Sequence, residues 1–119
     1  MTPAREASLI YKILPRAAWD EAVERGRFEG SPIDLQDGYI HFSTAAQAQE
    51  TAARHFRGQT GLVVVAVEAS SLGPALRWEP SRGGQLFPHL YGPLDPALAR
   101  GVSEAPLAAD GAPDLGLLA

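Results

Sequence analysis

Apolar and polar residues alternate along this chain with two periods, and the change from one to the other marks out its elements. Leu9 to Leu14, with Ile10, Tyr11 and Ile13 as β-favouring residues, predicts a first strand. Pro15 suits the first position of a following helix, where a missing N–H costs nothing. Ala18, Trp19, Ala22 and Val23 recur at helical spacing, with Trp19 as a core anchor and Gly26 as the stop. Arg27 to Gly38 reads as a long connection punctuated by Gly30, Pro32, Asp34, Asp37 and Gly38. Tyr39 to Phe42 returns to a period of two, placing Ile40 and Phe42 on one face and Tyr39, His41 and Ser43 on the other. Thr44 with Gln47 forms a capping box, so a helix is expected there, with Ala45, Ala48, Ala52 and Phe56 as its apolar stripe and Gly58 as its end.

The second half of the chain is strand-rich. Leu62 to Glu68 shows no polar alternation, as expected of a central strand buried on both faces. Leu76 to Glu79 predicts another strand, Pro80 to Gly84 a flexible loop, and Leu86 to Tyr91 a strand placed at an edge or a bulge by Pro88. A weak strand is expected over Gly101 to Leu107. The core then spans residues 8–108 of a single domain, with 109–119 a loosely ordered tail. Helices and strands do not alternate regularly, so the expected class is α+β rather than doubly wound. Gly83-Gly84 is too little for a dinucleotide or phosphate loop.

Composition narrows the function. The chain is 45% hydrophobic and 20% charged, as in soluble globular proteins, and 119 residues bury enough surface for a core without staples. With 10 basic against 14 acidic residues the net charge is −4, which argues against broad nucleic-acid binding but permits a local anion pocket. Cysteine is absent, which excludes thiolate chemistry. The longest apolar run, Leu62 to Val67, is far shorter than the ~20 residues of a membrane helix, so a cytoplasmic protein without membrane contact is expected.

Candidate chemistry lies in three blocks. His41, Ser43 and Thr44 sit where a strand runs into a helix, whose free N–H groups favour anions. Local capping and hydrogen bonding explain the same residues without a ligand. In the second block, Arg82 stands between Ser81 and two glycines, where a guanidinium can meet phosphate or carboxylate, and Glu79 can orient it or act as a base. A solvated turn is the simpler reading there. In the third, Phe87, His89 and Tyr91 share one strand face, suited to stacking on a base or sugar or to plain edge packing. His41, His89 and Glu79 match no established metal spacing, and no metal is expected. His55 is expected to be structural or solvent-facing.

Taken together, Ile10-Tyr11-Lys12-Ile13, Gly38 to Thr44, Trp78 to Gly84 and Leu86 to Tyr91 resemble the bacterial family known as domain of unknown function 952, over about residues 8–105. The blocks are also distantly similar to ADP-ribosyltransferases, the RNA 2′-phosphotransferases among them, through His41-Phe42-Ser43 and the apolar strand after it. That resemblance implies a split, curved, mostly antiparallel sheet with two main helices and NAD in its cleft. By that resemblance His41 contacts the ribose or phosphate part and Arg82 binds phosphate; the expected catalytic residues are His41, Glu79 and His89, and the expected cofactor contacts Tyr11, Lys12, Ser43, Thr44, Arg82 and Tyr91. Tyr11-Lys12 stands where the phosphotransferases carry an Arg-His pair, and Glu79 is the candidate for the catalytic glutamate. The alternative is therefore a non-catalytic nucleotide- or small-ligand-binding module that has lost the catalytic set. The partner is a small molecule or nucleotide; the sequence does not specify an oligomeric state.

Overall fold

The computed structural model describes residues 9–116 and 118. The first strand, β1 (Leu9–Pro15), is followed directly by α1 (Arg16–Arg25), and a short α2 (Pro32–Asp37) precedes β2 (Ile40–His41), β3 (Ser43–Thr44) and α3 (Ala45–His55). The remaining strands are β4 (Leu62–Glu68), β5 (Leu76–Pro80), β6 (Leu86–Leu90) and β7 (Ala99–Glu104). They form two antiparallel sheets, one in the order β3-β1-β4-β7 and the other β2-β6-β5. The class is α+β. Strands β2 and β3 are two halves of one extended run that changes partner at Phe42, so this run ties the sheets together.

The central position of β4 follows from its composition. Val63, Val65 and Val67 pack on one face with Ile10, Leu14, Trp19, Phe42, Leu90 and Leu94, while Leu62 and Val64 pack on the other with Tyr11, Ile13, Ala48 and Ala52 beneath α3. Full burial of each large aliphatic side chain is worth roughly 1.5–3 kcal/mol, so β4 contributes to the core on both of its faces. Ala48 and Ala52 are both fully buried one turn apart, and their small side chains let α3 lie close to the sheet. Thr44 and Gln47 make the expected capping box in both directions, and Trp19 is buried as an anchor of α1.

Several expectations are corrected. Pro15 is not the first residue of α1 but its cap, still extended (φ −61°, ψ 141°) and paired with Leu62. The connection from Arg27 to Gly38 contains α2, started by a Ser31–Asp34 capping box. Helix α3 ends at His55 with Phe56 as its cap, before Gly58. The loop after β5 contains a 3-10 turn over Arg82–Gly84. The last strand begins at Ala99, two residues earlier than expected, and ends at Glu104.

Pro88 lies in the middle strand of its sheet, not at an edge or bulge. Its carbonyl accepts from the Phe42 N–H, so the N–H that proline lacks would point to the same side, where β2 has just ended. The bond forgone is the one such an N–H would return to the Phe42 carbonyl, and β2 ends there.

Of the tail expected over 109–119, residues 117 and 119 lie outside the described residues, and 112–115 are docked. Ala112 and Leu115 are buried, Pro113 bridges Leu107, and Gln49 on α3 bonds the Pro113 carbonyl and the Leu115 N–H. Leu115→Ala should therefore lower the unfolding free energy in urea by about 2 kcal/mol or more. A change below about 0.5 kcal/mol, typical of a surface position, would contradict this docking.

Candidate functional site

The site begins where β1 and the extended run from Ile40 to Thr44 part company. Ile10 pairs with Thr44 and Tyr11 with Ser43. Two more steps of that ladder would bring Lys12 opposite Phe42 and Ile13 opposite His41. Instead, the His41 N–H donates to Asp34 Oδ1 at 3.1 Å. Lys12 Nζ reaches Oδ1 at 3.0 Å and Oδ2 at 2.8 Å, His41 Nδ1 meets Oδ1 at 2.6 Å, and the Ser31 N–H donates to Oδ2 at 2.8 Å. A carboxylate has about four acceptor positions, and here they are filled. Asp34 therefore fills the fork where the β1–β3 ladder stops.

Asp34 is 2% exposed and Lys12 5%. Burial pushes the Asp34 carboxyl up, but the hydrogen bond from His41, the Lys12 charge and the Ser31 N–H together outweigh it and hold the pKa at about 2. Burial pushes the Lys12 ammonium down, with Asp34 pulling the other way. His41 Nε2 lies 3.0 Å from Asp37 Oδ2. Both ring nitrogens of His41 thus face carboxylates, and both can donate at once only when both carry a proton.

The second sheet supplies the opposite wall. Alternation on β6 places Phe87 and His89 on one face, and Tyr91 follows directly after the strand. His89 is 3% exposed, and its Nδ1 lies 2.8 Å from Glu79 Oε1, which also accepts from the Tyr91 hydroxyl at 2.8 Å. Hydrogen bonds from His89 and then Tyr91 lower the Glu79 pKa. The bond to Glu79 raises that of Tyr91. Among the described residues no buried side-chain N or O lacks a partner, so His89 Nε2, which makes no hydrogen bond, reaches the open cleft. Tyr39 stacks on His89 with centroids 4.1 Å apart and touches the His41 ring at 4.6 Å. Burial, then the charges of Asp37, Glu79 and Asp34, raise the Tyr39 pKa.

Arg82 comes from the glycine turn after β5. Its guanidinium lies over the Phe87 ring at 4.9 Å, donates to Thr51 Oγ1 at 3.3 Å and stands 3.8 Å from Glu50. Thr51 donates to the Gln47 carbonyl, so Ser43 Oγ, 3.0 Å away, donates to Thr51.

These walls enclose a cleft of about 720 Å³. Of the expected site residues, Tyr11, Lys12, His41, Ser43, Arg82 and His89 line it. Thr44, Glu79 and Tyr91 do not: Thr44 caps α3, and Glu79 and Tyr91 bond each other beside His89. His55 and Thr51 line the cleft as well, and Asp37 closes one side. The hub, Asp34, escaped the sequence reading because it stood among turn residues, although Ser31-Pro32-Ile33-Asp34 has the spacing of a capping box. Among the described residues no group of three or more His, Asp or Glu side chains could hold a metal ion.

Asp34→Asn leaves Lys12 buried without its counter-charge and should cost about 3–5 kcal/mol, more than Lys12→Met, which leaves Asp34 with His41 and Ser31. The depressed carboxyl also sets an acid limit. A pKa moved from the ordinary 3.8 to about 2 contributes about 2 kcal/mol of stability above pH 4. That contribution is lost as pH falls through 2. Urea unfolding from pH 5 to pH 2 should show this decline in the wild type and a flatter profile in Asp34→Asn.

The chain is 58% identical to protein CC0527 of Caulobacter crescentus, whose crystal structure superposes with a TM-score of 0.88 over 90% of this chain and 94% of that one. A solution NMR structure of the same protein gives 59% identity and a TM-score of 0.80, over 88% and 90% of the two chains. No curated protein matches. The family model described as "Protein of unknown function (DUF952)" matches residues 13–102, a stretch that runs from β1 into β7 and includes every cleft residue except Tyr11 and Lys12. The chain belongs to the DUF952 family.

Proposed function

We propose that this protein binds a phosphorylated nucleotide in the cleft between its sheets, with NAD the leading candidate, and acts on it as an ADP-ribosyltransferase-like transferase. The observation that carries this reading is convergence: His41 with Ser43, Arg82 and His89, from three separate sequence blocks, line one cavity of about 720 Å³. That volume lies within the range of roughly 300–1,000 Å³ usual for small-molecule sites. Two antiparallel sheets joined by one run and parting at Phe42 support a split sheet of the ADP-ribosyltransferase kind.

The residues present fit such a ligand. Arg82, braced by Thr51 and Phe87, offers a planar fork for phosphate. NAD, when bound, supplies an ADP-ribosyl group on a nicotinamide leaving group. His89, held through Nδ1 by Glu79, offers Nε2 to take a proton from an acceptor hydroxyl or amine. His41, tied at both nitrogens, shapes the wall rather than moving a proton. One observation favours the second reading, a binding module without catalysis: Glu79 bonds His89 and Tyr91 and does not line the cleft.

A thermal-shift series with NAD, ADP-ribose and divalent metals separates the readings. NAD at a hundred times its dissociation constant should add about 2.7 kcal/mol of stability, and Arg82→Ala should remove the gain. Stabilisation without turnover supports the binding module. No response to any of these in the wild type contradicts the transferase reading.

A further inference from the structure

We propose that α2 is a lid over the cleft, hinged at Gly30 and Gly38 and latched by Asp34. Three observations carry this, and none depends on the identity of the ligand.

The first is how α2 is held. Surface helices are normally anchored by an apolar stripe against the core. Here Asp34 is the buried residue of α2, and the others are exposed, Ile33 at 51% and Leu35 at 65%. The helix is fastened through one carboxylate to Lys12 and to the His41 N–H and ring, with Asp37 to His41 Nε2 as an outer tie. Breaking polar ties lifts the helix without exposing an apolar core face.

The second is what flanks it. Gly30 has φ +124° and Gly38 φ +90°, conformations that other residues rarely adopt and from which glycine moves at little cost. A Cβ on Gly30 would come within 2.9 Å of Asp34 Cβ, so the hinge glycine is also what lets the loop close over the latch.

The third is where it lies. Gly30, Ser31, Pro32, Ile33 and Asp37 form one wall of the cleft. On its other side, Asp34, Leu35 and Gly38 border a smaller cavity of about 210 Å³. Lifting α2 withdraws Asp34 from the fork, widens the cleft and bares Lys12 and the His41 N–H to whatever enters.

Native-state amide exchange on the full chain tests the lid. The Leu35, Gly38 and Tyr39 amides, which bond within α2, should exchange at least a hundredfold faster than those of Val63 and Val65 in β4. Lys12→Met should widen that ratio at least tenfold. Asp37→Ala, a surface change that removes the outer tie, should widen it severalfold and guards against a Lys12 variant that fails to fold. Exchange of α2 and β4 amides at one common rate, or a ratio that neither variant moves, would overturn the proposal.

Discussion

One carboxylate decides the shape of this molecule's functional face. Strand β1 and the run from Ile40 to Thr44 begin to pair, and their ladder stops where the run turns to β6. Asp34 interrupts it by taking the His41 N–H and the Lys12 ammonium. A buried ion pair is a poor device for stability, since removing two charges from water costs about what their attraction returns. Its value here is geometric: the two strands are held apart, and the gap between them is part of the cleft.

From that fork the chemistry divides into two walls. The wall at β6 carries His89, with one nitrogen fixed by Glu79 and the other open to the cleft, backed by the Tyr39 ring. The wall at α3 carries Thr51, which accepts from both Ser43 and Arg82 and so aligns a hydroxyl and a guanidinium. His41 belongs to the fork itself and is held at both nitrogens. Dynamics follow from the same arrangement: the strands are fastened by buried valines, whereas α2 is fastened by polar contacts between glycines.

Much of this was legible in the sequence where local rules govern. The unbroken apolar run Leu62–Val67 announced a central strand, Thr44 and Gln47 a helix start, and the parity of Ile40, His41 and Phe42 the separation of His41 from the core pair. What was hidden depends on residues far apart in the chain. Asp34 reads as turn punctuation until Lys12 arrives from β1. Pro88 reads as an edge residue until β2 is seen to end beside it. Ala112 and Leu115 read as tail until α3 presents Gln49 to that segment.

The central claim, that an ionised Asp34 plugs the fork, is open to direct measurement. A carbon-detected NMR titration of the folded protein should show the Asp34 carboxyl remaining charged far below the other aspartates, with a midpoint at about pH 2. A midpoint at the ordinary aspartate value, near 3.8, would mean that Lys12 and His41 do not hold this carboxylate, and the account of the cleft would fail with it.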